Sequence, residues 1–198
     1  MSFKKCRVCK EKIEVELPKQ IVCSPSCALA LNELHRQKEY NKETKRLKNE
    51  FNNKDVSHQK DLTKTIFNKM RVLEEKKWFR DRGLEPTCIS CGKPLGDDQW
   101  SCGHFKTVKA QGNLRYDRIN TYLQHNNNCN KYLSGDIEGT KNTRGYKKGL
   151  VERFGADEGE WIINYCETHT AVKKWDCDEL IAMRKEFAKT VRELENDR

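Results

Sequence analysis

Cys88-Ile-Ser-Cys91, Trp100-Ser-Cys-Gly-His104, Asn120 and His125-Asn-Asn-Asn-Cys129-Asn130 follow one another in a single stretch of the chain. Two close pairs of soft or borderline ligands, Cys88/Cys91 and His125/Cys129, flank a lone His and a lone Asn. Cys88-x₂-Cys91 with Gly92 behind it reads as a knuckle turn. His125 and Cys129 are four apart and can share one face of a helical start. Together they can close one tetrahedral Cys₃His zinc site, which would order residues 84–140 and leave His104 free. A neutral imidazole can take a proton from water near pH 7. Asn130 can offer an amide oxygen to a hard divalent cation such as Mg²⁺ or Mn²⁺. Asn120 can orient His104 or fix its loop.

A second cluster precedes this stretch. Cys6-Arg-Val-Cys9 and Cys23-Ser-Pro-Ser-Cys27 are separated by a 13-residue spacer. The first pair reads as another knuckle, and the alternation Ile13, Val15, Leu17 as one strand of a short hairpin. Ser24-Pro25-Ser26 reads as a helix start with Pro near the first helical position. Four Cys so arranged make a structural zinc site of thiolates, in a finger over residues 1–30.

The remainder is organised by charge and period. Residues 31–83 form a charged connector. Residues 31–54 are almost wholly polar, which fits a solvated helix or a partly disordered linker. Over residues 58–82, Leu62, Ile66, Met70 and Leu73 mark an amphipathic helix. Beyond the central module, residues 141–198 predict three helices: Tyr146–Phe154 ending at Gly155, Glu158–Thr168, and Asp176–Glu193 with Leu180, Met183, Phe187 and Val191 on one face. The expected fold class is α+β: small zinc-stabilised modules joined by long charged helices.

Of 198 residues only 35% are hydrophobic and 35% are charged, with a net charge of +9. A single large core is therefore not expected. The first 82 residues carry 21 Lys+Arg against 12 Asp+Glu, residues 104–154 carry 10 against 4, and residues 155–198 carry 7 against 11. The basic part includes the surroundings of His104, and a phosphate backbone is its natural partner. Lys106, Lys109, Arg115, Arg118, Lys131, Lys141, Arg144, Lys147 and Lys148 are candidate phosphate contacts. No apolar run approaches a membrane span, and Met1-Ser-Phe-Lys-Lys opens no apolar leader. The expectation is a cytoplasmic protein whose ten Cys are kept reduced, which favours metal sites over disulfides and leaves Cys102, Cys166 and Cys177 unassigned.

Cys88-x₂-Cys91, Gly103-His104, Asn120 and His125-x₃-Cys129-Asn130 resemble the HNH, or His-Me finger, nucleases. Pro86-Thr-Cys-Ile-Ser-Cys-Gly, Leu114-Arg-Tyr-Asp-Arg-Ile-Asn and Cys129-Asn-Lys-Tyr-Leu-Ser-Gly, with the N-terminal cluster, resemble the lambdoid phage NinG family, also called Rap. The resemblance covers nearly the whole chain. It implies a treble-clef-like finger, a ββα-metal core, and a recombination endonuclease acting on branched DNA such as D-loops and Holliday junctions. It also implies His104 as general base, Asn130 as ligand of a catalytic Mg²⁺ or Mn²⁺, and Asn120 as a supporting residue. Two departures stand out. Gly103 occupies the place where many HNH enzymes carry an Asp ligand, leaving Asp97, Asp98 and Asp117 as candidate substitutes. His125-x₃-Cys129 replaces a Cys-x₂-Cys. A non-catalytic zinc-finger protein that holds DNA or a recombination partner is the main alternative, and an HNH enzyme with a linear target sequence is a second. The stripe around Leu62–Leu73 suggests a homodimer, and phage or host recombination proteins are further expected partners.

Overall fold

The computed structural model describes residues 3–15, 17, 19–94, 96, 99–130, 137–139 and 144–197, and the chain divides into two units between Lys54 and Asp55. The division falls inside the stretch 31–83 that the sequence presents as one connector.

In the first unit, β1 (Phe3–Lys5) pairs antiparallel with β2 (Lys12–Glu14), Phe3 opposite Glu14. The knuckle between them is closed by the Cys6 N–H on the Glu11 carbonyl at 2.8 Å and the Lys10 N–H on the Cys6 carbonyl at 3.1 Å. Lys10 takes the left-handed backbone, φ 66°, that tightens this turn. α1 (Pro25–Lys54) begins where Ser24-Pro25 predicts. The Ser24 hydroxyl accepts the Cys27 N–H at 3.3 Å and the Ser24 carbonyl accepts that of Ala28 at 3.0 Å. None of the residues of α1 is buried. Propensity and pairs such as Arg46–Glu50 at 2.8 Å sustain it as a solvated helix.

In the second unit, the Asp55 side chain caps α2 (Val56–Arg80) by accepting the Ser57 N–H at 2.8 Å. Phe67, Met70 and Leu73 of α2 pack on Leu180, Phe187 and Val191 of α5 (Cys177–Asn196). Most of the apolar stripe that suggested a homodimer is therefore covered by the chain's own last helix. β3 (Trp100–His104) and β4 (Thr121–His125) form an antiparallel hairpin with Trp100 opposite His125 and His104 opposite Thr121. Phe105 and Tyr122 pack with Ile89, Leu150 of α3 (Tyr146–Phe154) and Ile162 of α4 (Ala156–Thr168). Gly149 lets α3 approach the knuckle, since a Cβ there would lie 1.7 Å from the Ile89 carbonyl oxygen. α4 starts two residues earlier than the sequence predicts.

A buried ionic network joins these layers. Arg71 of α2 donates to the Thr121 hydroxyl at 3.0 Å and carbonyl at 2.6 Å, and pairs with Glu75 at 3.2 Å. Glu75 also accepts the Leu123 N–H at 3.2 Å and pairs with Arg153 of α3 at 2.9 Å. α2 is thereby locked to β4, the strand that ends in His125.

Candidate functional site

Both predicted ligand sets converge. Within Cys6, Cys9, Cys23 and Cys27, and within Cys88, Cys91, His125 and Cys129, the ligand atoms all lie within 4.8 Å of one another. A tetrahedral ion with metal–sulfur bonds of about 2.3 Å needs its sulfurs about 3.8 Å apart. Cys9 and Cys23 Sγ are 3.5 Å apart, Cys23 and Cys27 Sγ 3.4 Å, and Cys91 Sγ and His125 Nδ1 3.6 Å. Both clusters could bind metal ions, and their ligand sets are consistent with zinc.

Local structure sets the ligands up. Burial opposes ionisation of Cys6, yet the N–H groups of Val8, Cys9 and Cys23 bring its thiol down to about 6. The Cys129 thiol, then the His125 N–H at 3.5 Å, bring Cys88 down to about 5 against burial. Such thiolates are the metal-binding form. His125 sits at the end of β4 and not on a helix, and Cys129 in the single π-helical turn Asn126–Asn130 that follows. The His125 Nε2 lies 3.3 Å from the Pro94 carbonyl; donation there turns Nδ1 toward the thiolates. Arg144 clasps the same knuckle, donating to the carbonyls of Cys88 at 3.1 Å and Ile89 at 2.7 Å.

His104, at the end of β3, borders a cleft of about 660 Å³ that also involves Ser101, Asn126 and Asn130 on one side and Lys64, Asn68, Lys69 and Lys76 of α2 on the other. The His104 Nε2 is 3.0 Å from the Arg115 carbonyl. As the donor there, Nε2 carries the proton and leaves the lone pair on Nδ1. Burial lowers the imidazole pKa, with the charges of Lys64 and Arg115 adding to it, while the carbonyls of Arg115 and Cys102 pull the other way. A neutral ring at pH 7 follows.

Asn120 is fully buried and its amide is occupied. Its Oδ1 accepts the Lys106 N–H at 2.7 Å, and its Nδ2 donates to the carbonyls of Lys106 at 3.0 Å and Leu114 at 3.1 Å. Asn120 thus pins the loop between β3 and β4, the loop whose Arg115 carbonyl holds His104. Asp117 is spent locally: its carboxylate accepts the Ile119 N–H and the Tyr165 hydroxyl, each at 2.8 Å. Asp97 and Asp98 lie outside the described residues.

The candidate phosphate contacts divide. Lys106 pairs with Glu167 at 3.5 Å, Arg118 with Glu74 at 3.0 Å, Arg144 with Glu152 at 2.5 Å, Lys147 with Glu138 at 2.5 Å and Lys148 with Glu152 at 4.0 Å. Lys109 is exposed and Arg115 is partly buried. Lys131 and Lys141 lie outside the described residues. The cleft instead draws on lysines of α2 that sequence reading passed over. Lys64 has no ion pair among the described residues, Lys69 pairs with Glu195 at 2.8 Å, and Lys76 lies 4.7 Å from the Trp100 ring centroid. The signal was the row Lys64, Asn68, Val72, Lys76 at helical spacing beside the apolar stripe. Cys102 and Cys166 are buried thiols, each pushed up to about 12 by burial, and Cys177 opens α5.

Fold and clusters together define a mixed α+β protein with two candidate metal-binding modules. The family model for the Bacteriophage Lambda NinG protein matches residues 1–197. The chain belongs to the NinG family. It is 28% identical to protein ninG of Escherichia phage 933W, over 98% of this chain and 95% of that protein. It is 30% identical to protein ninG of Salmonella phage P22 and 29% to that of Escherichia phage lambda, over 61% of this chain and 54% and 53% of those proteins. No solved structure matches this chain. Among the described residues no helix is long and apolar enough to cross a membrane.

Proposed function

We propose that this protein is a metal-dependent DNA endonuclease of HNH type, acting in the host cytoplasm on branched recombination intermediates such as D-loops and Holliday junctions. The observation that carries the reading is His104. It is a partly buried imidazole, neutral by its surroundings, held at Nε2 by the Arg115 carbonyl and bordering a lysine-walled cleft with Asn130. The family membership supports a phage role.

The residues divide the work as follows. The Nδ1 lone pair of His104 takes a proton from the attacking water, and the two backbone carbonyls steady the imidazolium that forms. Lys64 and Lys76 attract non-bridging phosphate oxygens without reading bases. Asn120 acts as a positioning residue through the loop that holds His104. Asn130 would hold a Mg²⁺-type ion through its amide oxygen; when bound, that ion neutralises charge on the phosphate and the leaving 3′ oxygen. The Cys88 cluster, as a treble-clef or ββα-type zinc clamp, does no chemistry and fixes the geometry.

His104→Ala is expected to lower cleavage of a branched duplex by about 10²–10⁴-fold while DNA binding persists. Wild-type protein that cuts nothing with Mg²⁺ or Mn²⁺ removes the enzyme reading. One observation favours a second reading, a non-catalytic DNA-binding protein of recombination: no carboxylate borders the cleft among the described residues. Retained binding with no cleavage by either protein selects it. Equal cutting of linear and branched DNA instead selects a linear-target nuclease.

A further inference from the structure

We propose that Asn68 of α2, outside the stretch that carries the rest of the site, is a ligand of the divalent cation in the cleft, with substrate phosphate completing the coordination. This rests on the nuclease reading above and extends it to a residue from a different part of the chain.

An acidic residue at position 103 would have to displace the Gln124 side chain. A Cβ there would lie 1.8 Å from Gln124 Oε1, and Gln124 is itself hydrogen-bonded to Ser90. Asp117 is committed to Ile119 and Tyr165. The cleft therefore offers a hard cation neutral oxygens, those of Asn68, Asn126, Asn130 and Ser101 among the described residues. Of these, the Asn68 side-chain oxygen is singled out: it is buried and has no hydrogen-bond partner among the described residues. A buried amide oxygen without a partner is costly, and a hard cation relieves that cost.

Charge decides when the ion enters. Lys64, Lys69 and Lys76 border the same cleft, with only Lys69 offset by an acidic partner, Glu195, among the described residues. Neutral ligands beside these lysines hold a bare divalent ion poorly. A phosphodiester supplies the missing negative charge and further oxygens. Cation and DNA must then bind with positive coupling, each tightening the other by the same factor. A carboxylate at position 103 would instead have held the ion before DNA arrived.

The test is a Mn²⁺ titration, read by the electron paramagnetic resonance of free Mn²⁺, on zinc-loaded full-length His104→Ala protein that leaves DNA uncut. It is run with and without a four-way junction oligonucleotide. The expected result is weak Mn²⁺ binding alone and tighter binding with the junction. Adding Asn68→Ala weakens Mn²⁺ binding to the junction complex by about tenfold or more. Adding Asn68→Asp strengthens Mn²⁺ binding without DNA by about tenfold. Mn²⁺ affinities that ignore both Asn68 variants, in a protein whose His104 form cuts DNA, overturn the role of Asn68 and leave the nuclease reading standing. Affinities that follow both variants, in a protein that cuts nothing, keep Asn68 as a ligand and overturn the nuclease reading.

Discussion

The two four-ligand clusters have nearly the same ligand chemistry and opposite surroundings. In the N-terminal cluster Cys9 and Cys23 are exposed, Ile13 is the one buried aliphatic side chain of β1 and β2, and the adjoining α1 buries nothing. In the central cluster Cys88 and Cys129 are buried with Phe79 and Leu123, and Arg144, Gly149 and the Arg71–Glu75–Arg153 network tie the surroundings to two helices, α2 and α3. A metal held by these ligands would thus be the main source of order in the first unit and one contributor among several in the second. The same ligand pattern can therefore define a module or merely trim one, depending on what packs around it.

Metal removal should separate the clusters most sharply. Structural zinc contributes an apparent folding free energy of about 10–16 kcal/mol in small fingers. Chelation is expected to erase amide protection over β1, β2 and the knuckles of the first unit while α2 and α5 stay protected in hydrogen exchange. Equal loss in both units would break the contrast. Glu75→Ala tests the other side. It leaves Arg71 and Arg153 buried without their shared carboxylate, and should cost about 3–5 kcal/mol in denaturant unfolding of the second unit alone. A cost near that of a surface substitution would mean the network does not carry the central cluster.

A finer test uses pH. Since the surroundings lower the His104 pKa, the base form predominates above a value below the ordinary imidazole range. Single-turnover cleavage should therefore be flat through neutral pH and fall only in mild acid; a limb above pH 7 would contradict the neutral ring. Smallest of all, Ser24→Ala removes the cap that places Cys27 at the start of α1. It should destabilise the metal-loaded first unit by about 1 kcal/mol, measured by thermal melting, and leave the second unit untouched.

Much of this was legible in the chain. Knuckle spacings, Ser24-Pro25 and the apolar stripes of α2 and α5 signal structure because ligand geometry, caps and helical period operate within a few residues. Residues 31–54 were ambiguous, because a polar helix without a buried face looks the same in sequence as a linker. Asn120 could be read as orienting His104 or fixing its loop, and only the Lys106 and Leu114 contacts decide between them. The basic residues after His104 looked free as phosphate contacts, yet several are tied to glutamates from distant segments, such as Arg118 to Glu74.

By itself, then, the sequence determined the two candidate ligand sets and the helix boundaries to within a few residues, and it marked His104, Asn120 and Asn130 as candidates in the central stretch. Each depends on residue type at short spacing. The tertiary structure alone decided that α2 walls the cleft with Lys64, Asn68 and Lys76. It also decided that Gln124 occupies the space beside Gly103. Those contacts join residues far apart in the chain, and no local pattern encodes which faces meet when α2 is locked to β4 by a buried ionic network.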